Sequence, residues 1–194
     1  NITNSLYNLA LRQGVDFKFN NYVSEILVSN NMATGIKVGD KTYESDIVIS
    51  NMDVVPTYRN LLKNHYQPEK ILNQERSSSA LIFYWGVKKE FKNLDLHNIF
   101  FSKDYKNEFQ TIFENNTISV DPTIYINITS KDVKGDAPIN CENWFVMINS
   151  PNDSGQDWDN MIDQVKSNVI KKINKILKVN IEDFIECEKV YTPK

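Results

Sequence analysis

The sequence predicts a mixed α+β fold, and three observations carry that reading. Strand-like runs and helical stretches follow one another without a regular βαβ repeat. The middle of the chain is rich in β-branched and aromatic runs such as "SALIFYWGV", "PTIYINITS" and "NWFVMINS". Near the end, Ile162, Val165, Val169, Ile173 and Ile176 step by three or four, which predicts one long helix with a single buried stripe.

Taken in order, "LYNLALR" (6–12) reads as the end of a helix closed by Gly14 at the C′ position. "VDFKF" (15–19) alternates apolar and polar and predicts a short strand. The stretch 22–50 predicts two or three strands, turning at Asn30-Asn31 and at Gly39-Asp40. Its last piece, "DIVIS" (46–50), is apolar on both faces, the pattern of a strand buried in a sheet covered on both sides. Beyond Pro56 a short helix, "TYRNLL", leads into a polar connection to Arg76. Strands are then expected at 79–87, 97–102, 122–130 and 143–150. A helix capped by Asp104 covers 104–114, the long helix follows, and "DFIECEKVYTP" (183–193) reads as a last strand. The change of character near Asp53–Pro56 marks the expected domain crossing.

With 41% hydrophobic and 24% charged residues, 194 residues suffice for a packed core. The formal charge is -3 and no basic block occurs, which argues against nucleic acid as partner. Cys141 and Cys187 lack CxxC spacing and read as reduced thiols of a cytoplasmic protein. His65 and His97 stand apart, so neither a histidine zinc site nor a Ser-His-Asp triad is supported. The glycines at 14, 35, 39, 86, 135 and 155 form neither GxGxxG nor a P-loop. Asp153, Asp157 and Asp159 miss EF-hand spacing and read as an acidic cap on the long helix. No apolar run is long enough to span a bilayer. The chain starts at Asn1 and stops just past a strand, and both ends are expected to lie inside a longer protein.

Ser50 and Asn51 sit at the C-terminal tip of "DIVIS", the edge where ligands bind in open α/β sheets. A turn satisfied by short polar side chains explains them equally well. Phe83, Tyr84, Trp85, Tyr125, Trp144 and Phe145 lie on strand candidates, where alternate residues face opposite sides. Half of them should therefore be plain core.

The run "DIVISNMDVVPTYRNLL" (46–62) resembles the flavin-dependent carotenoid desaturases of the bacterial phytoene desaturase type, within the flavin amine-oxidase superfamily. The likeness continues in Val23-Ser24-Glu25-Ile26, "SSSALIFYWGV", "DPTIYINITS", "ENWFVMINSP" and "VYTP", in the family's order. "LDLHNIFFS" and "GQDWD" resemble the hydroxycarotenoid branch more than phytoene desaturase. The resemblance implies an internal segment of an FAD enzyme. Residues 1–53 would be part of the FAD-binding α/β domain and 54–186 a substrate domain with an antiparallel sheet and packed helices. Residues 187–194 would begin the return to the FAD domain. It implies Val23 as the residue whose backbone meets the adenine, with Ser50 and Asn51 beside the cofactor. Phe83, Trp85, Tyr125 and Phe145 would line the path of a long apolar polyene, whose C–C bonds are oxidised to C=C. Peripheral membrane docking follows, because carotenoids dissolve in membranes. No catalytic side chain is assigned, and FAD is not expected to be retained by this piece alone, which should be inactive. Carotenoid isomerisation or saturation, amine oxidation, and a non-enzymatic lipid- or protein-binding domain remain as alternatives.

Overall fold

The computed structural model describes residues 1–194 and divides into two compact units, Asn1–Glu75 and Arg76–Lys194. The division falls later in the chain than the crossing expected at Asp53–Pro56. Both units mix helix with antiparallel sheet, in keeping with the α+β expectation.

The first unit begins with helix α1 (Ile2–Arg12), capped by the Asn1 side chain, which accepts from the Thr3 N–H. Gly14 takes φ +84° after it. Gly14 N–H donates to Leu11 O and Val15 N–H to Ala10 O, closing the helix as the glycine predicted. Strands β1 (Glu25–Ser29), β2 (Met32–Val38) and β3 (Lys41–Glu44) form an antiparallel meander. Asn30 and Asn31 both adopt positive φ at the first turn, and Gly39 does so at the second. Gly35 is fixed by crowding, since a Cβ there would lie 2.1 Å from the carbonyl oxygen of Tyr43 on the neighbouring strand.

Two strand expectations fail in this unit. Residues 15–19 pair with nothing; Phe17 and Phe19 instead cluster with Tyr7 of α1, with ring centroids 4.6 and 6.0 Å away. Residues 46–50 lie extended but outside any ladder, with Ile47 75% and Ile49 88% exposed. An apolar pattern on both faces needs neighbours on both sides, and no segment of these 194 residues supplies them. After that tip, Asp53 accepts from the Val55 N–H and starts a short helix, α2 (Val54–Pro56). It runs on as a π-helical turn, Thr57–Leu61. Helix α3 (Glu69–Leu72) occupies what the sequence read as a polar connection, held by a bidentate Arg59–Glu69 pair at 2.7 Å.

The second unit is a five-stranded antiparallel sheet in the order β5-β6-β7-β4-β8. The strands are β4 (Ser79–Val87), β5 (His97–Phe100), β6 (Ile124–Asn127), β7 (Glu142–Ser150) and β8 (Ile185–Tyr191). Residues 187–191, expected to begin the return to another domain, thus pair with β4 here. Helix α4 (Tyr105–Asn115) has the expected Asp104 cap. Helix α5 (Trp158–Leu177) lays Val165, Val169, Ile170 and Ile173 against Leu81, Phe83, Trp85, Ile124, Ile126, Trp144, Val146 and Ile148. Val165, Val169 and Ile173 are as predicted and Ile162 is partly buried, but Ile176 is exposed and Ile170 is buried in addition; the stripe covers a single face of the sheet. Asp157 caps α5, and Asp153 accepts from the Trp158 indole at 2.9 Å, so two of the three clustered aspartates tie down the helix start.

Polar groups pin the pieces where apolar packing cannot set register. Glu142, 2% exposed, accepts from Phe91 N–H (2.8 Å), Lys131 Nζ (2.6 Å) and the Trp144 indole (2.7 Å). Glu188 on β8 accepts from the Trp85 indole and from Lys166 of α5, both at 2.6 Å. Lys172 of α5 spends its three protons on Asp121 Oδ1, Phe101 O and Pro122 O at 2.7–2.9 Å. Burial pushes the Asp121 carboxyl up. The hydrogen bonds from Lys172 and the Lys103 N–H, with both lysine charges, outweigh that and hold it below the usual carboxylate range. A depressed carboxyl stabilises the fold above its unfolded pKa, and that contribution is lost as pH falls through the folded value. Lys172→Met should therefore cost about 2 kcal/mol at neutral pH. It should also remove part of the acid-side loss of stability, as read by denaturant titrations at pH 7 and below about pH 4.

Candidate functional site

Each unit carries one surface with the character of a binding site. In the first unit a cavity of about 540 Å3 opens between the meander and the extended segment 45–52. Val23, Ser50 and Asn51 all line it, together with Tyr22, Ile26, Ile47 and Ile49. Residues far apart in sequence meet here because the meander brings the start of β1 alongside the tip of segment 46–50. The backbone N–H and C=O of Val23 form no backbone hydrogen bond, so both are free for a ligand edge. Ser50 Oγ is 2.9 Å from Thr57 Oγ1, which in turn bonds Met52 O at 3.3 Å. The Ser50 hydroxyl therefore closes the turn into α2, as the turn reading expected, while the residue also borders the cavity. Asn51 is exposed and its side chain has no protein partner. The lining is apolar with polar edges and contains no Lys or Arg. It suits a flat heteroaromatic group, but has nothing to neutralise a diphosphate.

In the second unit the site is the sheet face that α5 leaves open. The register sets its rows. Tyr84 opposes Phe145 and Lys189, while Phe145 opposes Asn127 and Asn127 opposes His97. One row along, Ile82, Tyr191, Met147, Tyr125 and Ile99 align in the same way. The rings interlock edge to face. Tyr84 stands 5.3 Å from Phe145 and 5.6 Å from Tyr191, and Tyr125 stands 6.2 Å from Phe145. At one end a cavity of about 470 Å3 is lined by Tyr84, Gly86, Asn127, Asn143, Phe145 and Cys187, among others. Gly86 keeps it open: a Cβ there would meet Cys187 Sγ at 2.5 Å.

The four expected lining residues are thereby split. Tyr125 and Phe145 lie on the open face. Phe83 (0% exposed) and Trp85 (1%) are core, under α5, and a ligand could reach them only by displacing that helix. Trp144 is sealed as well (1%), so the two tryptophans that an amine oxidase would present as a cage offer no ring to solvent. Tyr84, between Phe83 and Trp85 in sequence, points the other way onto the open face, 45% exposed. The signal was present in the strict alternation, but strand phase cannot be assigned without knowing which face the helix covers. His97 and Asn127 share this face through a cross-strand contact that no spacing in the sequence encodes.

An oxidoreductase from Methanosarcina mazei shares the fold over 97% of this chain and 40% of its own, with a TM-score of 0.62 and 12% identity. The homologues of this chain are carotenoid desaturases. It is 54% identical to the 1-hydroxycarotenoid 3,4-desaturase of Flavobacterium sp. (strain P99-3), over 100% of this chain and 40% of that protein. It is 31% identical to the phytoene desaturase of Fusarium fujikuroi, over 99% of this chain and 38% of that one. The chain thus spans about 40% of the length of these curated relatives. No family model matches it.

The two-face assignment is open to measurement. Phe83→Ala and Trp85→Ala should each cost about 3–5 kcal/mol of unfolding free energy, whereas Tyr84→Ala and Phe145→Ala should cost about 1 kcal/mol. Equal losses on both faces, in denaturant unfolding, would contradict it.

Proposed function

We propose that this chain forms part of an FAD-dependent desaturase that converts C–C to C=C bonds in a long polyene of the hydroxylated carotenoid type. The observation that carries the reading is 54% identity, along the whole chain, to a 1-hydroxycarotenoid 3,4-desaturase. An open sheet face of interlocked aromatic and aliphatic side chains supports it, since a polyene needs an apolar wall with few polar groups. FAD, bordered in this chain by Val23, Ser50 and Asn51, would supply the two-electron oxidation of an allylic C–C bond that loses a hydride and a proton, with oxygen or a quinone as final acceptor. Within this chain Val23 would offer its backbone to the adenine edge, and Ser50 and Asn51 would border the cofactor. Residues 1–53 would serve the cofactor domain and most of the remainder the substrate. Tyr125 and Phe145, with Tyr84, would hold the polyene flat and keep water away from it.

The absence of basic residues from the first unit's cavity, and of a glycine-rich loop from the sequence, leaves the diphosphate to other parts of the protein. The isolated chain should accordingly retain far less than one flavin per molecule after gel filtration. The full-length protein should retain its flavin and shift the absorbance of a hydroxylated polyene to longer wavelength. Full-length protein without flavin, or without any such shift, would overturn the reading.

Peripheral membrane contact belongs to the same proposal. No helix is long and apolar enough to cross a membrane. Phe101, Tyr105, Phe109 and Phe113 form a ladder with centroids 5.0–6.3 Å apart, with Phe101 64% and Val120 81% exposed. Lys103 and Lys106 adjoin it, the composition of a surface that enters a lipid headgroup layer. Phe101→Ser combined with Phe113→Ser should release the full-length protein from sedimenting phospholipid vesicles. Undiminished sedimentation would remove this part of the proposal.

A further inference from the structure

The open face is not uniformly apolar. His97, Tyr125 and Asn127 form one hydrogen-bonded group on it, and their chemistry is fixed by geometry. Asn127 Nδ2 donates to Leu96 O at 3.0 Å, so its amide cannot be turned round without setting oxygen against oxygen. The same Nδ2 is 3.2 Å from His97 Nδ1, which must therefore be an acceptor. Tyr125 OH, 2.8 Å from that nitrogen, is then its second donor. Two donors converging on Nδ1 place the imidazole proton on Nε2. His97 Nε2–H and Asn127 Oδ1 have no protein partner, leaving one donor and one acceptor on the same cross-strand row. Asn127 also lines the cavity of about 470 Å3 at that end of the face.

A pure hydrocarbon laid over this row would strip water from both groups and return nothing. Each stranded group weakens binding by roughly tenfold or more. A hydroxyl needs one acceptor for its proton and one donor for its oxygen, the complement of what the row leaves free. We infer that His97, oriented by Tyr125 and Asn127, recognises the oxygen of a hydroxylated polyene end group, with Asn127 taking the hydroxyl proton, and so selects oxygenated over hydrocarbon substrates. The inference rests on the polyene desaturase reading and adds to it the residues that read the end group. His97 and Asn127 are specificity residues here, and Tyr125 is a positioning residue.

The test uses full-length, flavin-loaded protein and two acyclic polyenes that differ only in a tertiary hydroxyl at one end. The quantity read is the ratio of their kcat/KM values, with bound flavin per protein as the check on folding. Wild type should favour the hydroxylated polyene. His97→Phe should lower the ratio by roughly tenfold or more, and His97→Gln, which keeps an N–H donor, should restore much of it. Asn127→Leu should lower the ratio in the same direction, a second route should His97→Phe lose its flavin. A ratio unchanged in His97→Phe, parallel losses on both polyenes, or a wild type without preference would overturn the inference while leaving the desaturase reading intact. No turnover of either polyene would instead overturn that reading, and the inference with it.

Discussion

The pairing of β4 with β7 is the constraint on which the second unit depends. Nine consecutive residues of each strand face one another, from Ser79↔Ser150 to Val87↔Glu142. Trp85 meets Trp144, and Tyr84 meets Phe145. A slip of β7 by one residue against β4 would send Trp144 and Val146 into solvent and bring Phe145 and Met147 under α5. The apolar stripe of α5 would then face rings of the wrong shape. The register therefore assigns, in one stroke, which aromatics hold the fold together and which remain available to a ligand.

That register is guarded by buried polar groups more than by apolar ones, which fit several offsets nearly as well. Glu142 closes one end of the pair. Its carboxylate is used up by Phe91, Lys131 and the indole of Trp144, two residues along the same strand. A shifted β7 would leave it buried without partners, which is costly. Glu188 plays the matching part on β8, where the Trp85 indole and Lys166 fix the edge strand against both β4 and α5. Because Glu142 and Glu188 are engaged in this way, neither is free for acid–base chemistry.

Much of this was legible in the sequence. Period-two runs located β4 and β7 to the residue or nearly so, and the 3.6 period of Ile162 to Ile176 located α5 and its buried side. Asn30-Asn31, Gly14 and Asp104 announced a turn, a helix end and a helix start through well-understood local chemistry. What stayed hidden was whatever depends on a partner distant in sequence. Alternation gives two faces and leaves open which is covered, so Phe83 and Trp85 were indistinguishable from Tyr125 and Phe145. The His97 tautomer rests on Asn127 and Leu96 together, and no spacing rule encodes that. The π-helical turn at Thr57–Leu61, closed by Leu62 N–H to Thr57 O, carries no signal of its own in the sequence.

The misjudged strand at 46–50 is informative for the same reason. Its pattern demands burial on both faces, and the structure leaves Ile47 and Ile49 exposed beside a cavity that also gathers Val23, Ser50 and Asn51. Exposed β-branched runs with unpaired backbone invite aggregation. The polar tip Ser50-Asn51-Met52-Asp53 belongs to a different logic. It ends the apolar run, caps α2 through Asp53, and ties back through Thr57. The tip is thus held in place by its own hydrogen bonds, whereas the run before it pairs with no strand of this chain. A tip fixed by its own hydrogen bonds keeps its shape whether or not anything occupies the cavity beside it.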